Sequence, residues 1–423
     1  MTRTLLRRLL TILLALALWI QPAAAARQQD QDLSAEIDTI VTELSRISGL
    51  KPLHKIRYDR IDKAGVKQFL EQRVREAVKP EELRAEELTL KKFGLVPPDF
   101  DLKKTTIDLL TEQAAAFYDF RKKKLFLVEY GSDLVQHSAL VHELAHALAD
   151  QHFNLRRFIE RARQDDDRAL ARLAVMEGQA TWLMSEYLTR RTGQSLKDSP
   201  ALVNMMSRAA EASAGQFPVF DRSPLYLRET LLFPYTQGML FQHAVFQKMD
   251  LLAFPEVFRH PPESTQQILH PAQYGTAARP VSPSLPSLLS EHGYRNLVEG
   301  SIGELDHAIL LRQYAGKQQA EEVAPGWRGG QYKLLEHKSD KRIVLAYASQ
   351  WESHTAAQKF FRLYRQVLKG KWKTLEIASE TGDTLAGRGD DGYFLLRCDG
   401  LRVTSLEGIE SPKEARMPML AIN

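Results

Sequence analysis

The sequence predicts an α+β protein, with a mainly helical first part carrying a small sheet and a smaller α+β domain after it. Three observations carry this. Apolar residues recur at helical spacing through much of the chain, first at Leu33, Ile37, Ile40, Val41, Leu44 and Ile47. The stretch 114–128 instead places Ala116-Phe117-Tyr118 and Leu125-Phe126-Leu127-Val128 on either side of a charged turn, Arg121 to Lys124, which is a β-hairpin pattern. Beyond Gly326 to Gly330, short apolar runs at 342–347, 374–378, 393–398 and 401–406 read as strands around one helix at 353–368. Asp399-Gly400 marks a tight hairpin between the last two runs.

The chain opens with Arg3, Arg7 and Arg8, an apolar run from Leu9 to Ile20, then Gln21, Pro22 and four alanines. This is the order of a secretory signal, with cleavage expected after Ala26. The run is too short to span a bilayer, which takes about 20 residues, and no cysteine stands near the site for lipid attachment. The mature chain is therefore expected to be periplasmic or secreted, with no stable membrane span. Of 423 residues, 57 are basic and 53 acidic, 44% hydrophobic and 26% charged. That balance excludes a disordered tail, a collagen-like fibre and a polytopic membrane protein. Loss of residues 1–26 removes three arginines and takes the net charge from +4 to +1, which gives no sign of a nucleic-acid partner. The lone Cys398 excludes a disulfide framework and a thiolate-rich metal cluster. Because it alternates with Phe394 and Leu396, it reads as core.

The expected organisation is a signal at 1–26, a helical region at 27–95, a central domain at 96–324, a small α+β domain at 325–412 and a tail at 413–423. Gly49 and Pro52 stop the first helix. A second helix covers about 63–78. A third starts at Pro80, a residue suited to a first helical position, and ends before Gly94. A short helix at 102–112 follows Pro97-Pro98. Asp133, with Gln136 three residues on, opens a helix that runs to about Gln151. A long helix covers about 166–191, and the proline-rich stretch 255–290 reads as loops and short turns. Arg388-Gly389-Asp390 falls in a turn and is explained by chance.

The chemistry lies in His142-Glu143-Leu144-Ala145-His146. Positions four apart share a helix face, so both imidazoles can reach one ion while the backbone stays regular. Glu143, next to the first ligand, can lean over an open coordination position. Zinc with three protein ligands lowers the pKa of a bound water to about 7, and a nearby carboxylate can take its proton and hand it to a leaving amine. This is the H-E-x-x-H pattern of metal-dependent peptide hydrolases. Its neighbours Ala139-Leu140-Val141 and Ala147-Leu148 are uncharged, which argues against two solvated histidines.

A third ligand must come from elsewhere. The helix 166–191 has an apolar stripe at Leu170, Leu173, Ala174, Ala180, Thr181, Met184 and Leu188, interrupted by Glu177. A carboxylate there is costly unless it is paired or on a metal, so Glu177 is either a ligand or the partner of an arginine. Gly178 beside it lets another backbone approach. Glu160, Asp165 to Asp167 and Glu186 lie off the stripe. Asp150, a turn beyond His146, either orients a ligand or is a solvated helix-end residue, and the second reading is favoured.

The helix Leu140 to Phe153, LVHELAHALADQHF, followed by Glu177-Gly178-Gln179-Ala180-Thr181, resembles the gluzincin-type zinc metallopeptidases. With Ala116-Phe117-Tyr118-Asp119, the segment Phe233 to Gly238, the segment Ser264 to Pro271 and Gly326-Trp327, it is also similar to a group of secreted bacterial and archaeal proteins of unassigned substrate. The resemblance covers about 95–400, and only the zinc motif is specific. It implies a zincin-like domain with Zn2+ on His142, His146 and Glu177, Glu143 as general base, and a peptide or protein substrate lying along the 114–128 edge. The interval from His146 to Glu177 is longer than in compact members, which leaves the insertion's role open. A donor to the oxyanion is also needed. His270 and Tyr235 rank first, ahead of His243 and Tyr274, with Tyr235 expected to open a helix after Pro234. The rival reading is a non-catalytic zinc-stabilised envelope module with the same ligands. A further one makes 27–95 a pro-segment covering the cleft.

Overall fold

The helical spacing near the N-terminus becomes a helix whose stripe of Ile37, Ile40, Val41, Leu44 and Ile47 is buried in the main core. The computed structural model describes residues 23–414, apart from 78, 114–115, 129–132, 209–216, 277, 289 and 291. The signal segment up to residue 22 and most of the expected tail lie outside the described residues. The fold is α+β, as expected.

The helices of the first half are α1 (Ala23–Ser48), α2 (Lys63–Ala77), α3 (Pro80–Phe93), α4 (Leu102–Gln113), α5 (Asp133–Phe153), α6 (Leu155–Glu160), α7 (Asp166–Arg190), α8 (Pro200–Ser207), α9 (Pro218–Arg222), α10 (Leu225–Met249), α11 (Ala253–Arg259) and α12 (Thr265–Leu269). Among them sits a three-stranded sheet of β1 (Arg57–Ile61), β2 (Ala116–Asp119) and β3 (Lys124–Val128), ordered β1-β3-β2. The hairpin β2–β3 is the expected one, with Phe117 opposite Phe126. The parallel partner β1 was not foreseen, because Arg57, Asp59 and Arg60 break its apolar pattern. The 27–95 region thus supplies both a core stripe and a strand to the rest of the half.

The second half is a seven-stranded antiparallel sheet, ordered β4-β5-β6-β10-β9-β8-β7. Its strands are β4 (Tyr294–Ser301), β5 (Trp327–His337), β6 (Ile343–Trp351), β7 (Leu375–Glu380), β8 (Thr384–Gly389), β9 (Gly392–Asp399) and β10 (Arg402–Ile409). Helices α13 (Glu304–Ala315) and α14 (Lys317–Val323) connect β4 to β5, and α15 (His354–Lys371) follows β6. Ser353 caps α15 by accepting from the Ala356 amide, and the helix buries Phe360, Tyr364 and Val367. At the Asp399-Gly400 hairpin, Gly400 takes φ +63°. Cys398 is buried beside Phe394 and Leu396, as its alternation suggested.

The sheet starts at Tyr294, ahead of the boundary expected at 325, and Gly329 and Gly330 lie within strand β5. Another stretch of chain passes too close for a side chain there. A Cβ on Gly329 would stand 2.0 Å from the Val281 carbonyl oxygen, and one on Gly330 would stand 2.4 Å from that of Ile302. The same crowding explains Gly387 in the unforeseen β8, opposite the Glu376 carbonyl. One hydrophobic core runs through both halves, from Ile37 to Val403. Among the described residues no helix is long and apolar enough to cross a membrane.

The site is positioned by the crossing of α7 and α10. Gly178 and Gly238 meet backbone to backbone, so that a Cβ on Gly178 would lie 2.1 Å from the Gly238 carbonyl carbon. The approach that Gly178 was expected to permit is therefore made by α10. That helix runs unbroken through Pro234, so Tyr235 stands mid-helix and does not open one. An interior proline costs about 3 kcal/mol, but buried Leu231, Phe233, Met239 and Phe241 flank it, each worth about 1.5–3 kcal/mol.

Two outcomes follow. Gly238→Ala forces the two helices apart and should lower stability by about 1–3 kcal/mol or more, read by thermal melting. His307 in α13 is wholly buried, with Nδ1 2.6 Å from the Gly303 carbonyl and Nε2 2.6 Å from the Tyr347 hydroxyl. Burial holds its pKa down to about 4, against the ordinary 6.5. Below pH 6.5 the unfolded chain takes a proton that the folded one refuses, so this contribution to stability declines from pH 6.5 towards 4. Melting against pH should show a shallower acid limb in His307→Gln.

Candidate metal centre

Helix α5 is buried along its middle by Leu140, Val141, Leu144, Ala145, Leu148 and Ala149, and it sets His142 and His146 one turn apart on one side. Helix α7 is capped by Asp165, whose side chain accepts from the Arg168 amide, and it is buried along most of its length. It brings Glu177 to the imidazole pair. His142 Nε2 and His146 Nε2 each lie 3.1 Å from Glu177 Oε2, and the two nitrogens lie 3.1 Å from each other. All three residues are buried.

This triangle fits a metal ion. Donors bonded at about 2 Å around a tetrahedral ion stand roughly 3.3 Å apart, and a cation just off the triangle's plane reaches all three. Three lone pairs converging in an apolar interior otherwise repel, and a proton placed between two of them leaves the third unsatisfied. The electrostatics agree. Burial pushes the His142 pKa down. For His146 burial again opposes the charge, but Glu177 outweighs it and raises the pKa. Against its own burial, Glu177 is held down to about 2 by the imidazoles. The site can hold a metal ion on His142, His146 and Glu177.

Glu143 stands next to the triangle and is not part of it. Its Oε2 accepts from the Tyr118 backbone amide of β2 at 2.8 Å. Burial raises its carboxyl to about 8, with the Glu177 charge adding to this and the amide opposing it. A metal's charge would pull it back down. Tyr235 also belongs to the site. Its ring centroid is 6.0 Å from that of His142, and its hydroxyl hydrogen-bonds Glu177, while burial raises its pKa well above the ordinary value.

Other candidates are occupied elsewhere. His270 Nε2 meets Glu304 Oε1 at 2.8 Å, fastening the end of α12 to the start of α13. His243 accepts from Trp182 Nε1, and the Tyr274 hydroxyl donates to the His260 carbonyl. Glu186 holds Ser195, Leu196 and Arg190, and Glu160 pairs with Arg156. Asp150 is not a solvated helix end. It is buried, accepts from the Tyr118 hydroxyl and the Leu155 amide, and its pKa is raised by burial. Sequence reasoning set the 114–128 hairpin beside the cleft but not its contacts: β2 and the residue after it reach Glu143 through the Tyr118 amide, Asp150 through the Tyr118 hydroxyl, and His146 through the Phe120 ring, whose centroid lies 6.0 Å from that of His146. The hairpin pattern was the available signal, but it does not report which helix the strand faces.

Residues 292–417 match a family described as a domain of unknown function (DUF8575). The match spans the seven-stranded sheet and leaves the triad outside it. No curated protein and no solved structure matches the chain.

His142→Ala and Glu177→Ala should each abolish stoichiometric metal binding in the purified protein. A chelator should lower the melting temperature of the wild type and leave that of His142→Ala unchanged. Full metal occupancy in either variant would count against the ligand set.

Proposed function

We propose that this chain is a zinc-dependent peptidase of the gluzincin type, exported from the cytoplasm, that hydrolyses peptide bonds with Glu143 as general base. The observation that carries the reading is a fourth buried side chain, the Glu143 carboxylate, beside a complete set of three donors. A closed structural site would use four ligands and would need no base. Two imidazoles and one carboxylate suit zinc. When bound, zinc would supply an acidic water and polarise a carbonyl.

The chain's own residues supply the remainder. His142, His146 and Glu177 would hold the ion. Glu143, anchored by the Tyr118 amide, takes the water's proton and delivers it to the leaving amine. The Tyr235 hydroxyl, released from Glu177, donates to the carbonyl oxygen as negative charge develops there. Phe120 and the apolar faces of α5 and α7 border the site, lowering the local dielectric and strengthening both interactions. Strand β2 lies at the edge of its sheet, where an extended peptide can be aligned. The N-terminal pattern supports export. The single thiol, Cys398, is raised to about 11 by burial and is unreactive in an oxidising compartment.

Glu143→Gln should keep its zinc and lose at least about 10²-fold in hydrolysis, measured by metal analysis and cleavage of a peptide library. Undiminished cleavage by the zinc-loaded variant would reject the mechanism. Tyr235→Phe should lower kcat about 10²-fold with little change in KM.

A further inference from the structure

Strand β2 leaves the metal site along a defined path. Tyr118 is tied to Glu143, Phe120 packs on His146, and the turn carrying Lys122 and Lys123 follows directly, joining β2 to β3. Both lysines are exposed. The turn is held rigidly. Asp119 Oδ1 accepts from the Arg121 and Lys122 amides, and its Oδ2 pairs with Arg73 at 2.5 Å in a buried contact. The acidic group of the turn is thereby consumed. The Lys122 ammonium sits over the Phe69 and Phe126 rings, at 5.8 and 5.4 Å from their centroids. Lys123 holds φ +49°, a conformation cheaper for glycine or asparagine, and its charge is felt at Asp150 beneath the site.

Lys124 has Asp59 as its partner, whereas neither Lys122 nor Lys123 has a carboxylate partner among the described residues. Arg57 adds further positive charge, donating to the Lys122 carbonyl at 2.9 Å. The carboxylates of the site itself, Glu143, Asp150 and Glu177, are buried. A chain lying along the β2 edge therefore meets positive charge without a carboxylate partner at the turn that ends the strand.

We infer that the turn carrying Lys122 and Lys123 is a substrate-selecting element, and that it favours peptides with Asp or Glu within a few residues of the bond cut. This rests on the hydrolase reading above. The test uses the zinc-loaded full chain on a proteome-derived peptide library, with new termini identified. Cleavage sites should be enriched in flanking acidic residues. The double variant Lys122→Glu/Lys123→Glu should lose that enrichment and cleave an acidic reporter with a kcat/KM about tenfold lower, chiefly through KM, a gap that narrows at high salt. Zinc content and melting temperature matching wild type would separate lost selection from misfolding. Cleavage without acidic enrichment, or an unchanged preference in the double variant, would overturn the inference and leave the hydrolase reading standing. Anisotropy of the acidic reporter on Glu143→Gln separates the two ideas. Binding that the added charge reversal weakens supports the selecting role even if wild type cuts nothing, a result that would sink the hydrolase reading alone. Absence of any such binding overturns the selecting role.

Discussion

The structure depends on bringing three lone-pair donors to one point in a buried interior. Two come from a single helix at no backbone cost, since His142 and His146 are one turn apart. The third needs a second helix close by, and the α7–α10 crossing fixes that helix in place. At Gly178 and Gly238 the two backbones touch, and the residue before Gly178 is the carboxylate that completes the triad. Tyr235 lies about one turn before Gly238 on the other helix, so the same contact aims both Glu177 and Tyr235 at the site. A carboxylate set in an apolar stripe is a liability until something neutralises it. Here the neighbouring imidazoles lie against it, and the three together can hold a cation.

Much of this was legible in the sequence. The helical period gave α1, α3, α4, α5 and α7 to within a few residues at most ends, apart from the longer start of α1. Glu177 was visible as the charge that breaks an apolar stripe, and Gly178 as a point of close approach. The hairpin β2–β3 and the strands β6, β7, β9 and β10 followed from alternation and from Asp399-Gly400. What escaped was decided by distant chain. Gly329 and Gly330 look like a linker in sequence, yet they are glycine because the backbone near Val281 and Ile302 crosses their strand. Strand β1 is too charged to announce itself and exists because β3 offers it an edge. Pro234 signals a break that packing on both sides overrides. His270 looked free in its loop, but Glu304, far along the chain, takes its ring. Asp150 looked exposed until Tyr118 covered it.

The two halves are coupled through α3. Arg84 and Arg295 both reach Glu336 at 2.5 Å. Buried Lys371 bonds Glu407 at 2.5 Å and the Lys92 carbonyl at 2.8 Å, and Lys92 Nζ pairs with Asp391 at 2.9 Å. A buried ion pair of this kind adds little net stability over an apolar pair of similar size, yet removing one partner is expensive. Its value lies in fixing the register of helix against sheet.

That coupling has a temporal side. Lys92 and Asp391 are 299 positions apart, so α3 cannot lock into place until the strands that end the sheet have been made and folded. Contacts of such long sequence separation form late and slowly. A polypeptide assembled in this order completes the ion pairs between α3 and the sheet only after its last strands are present.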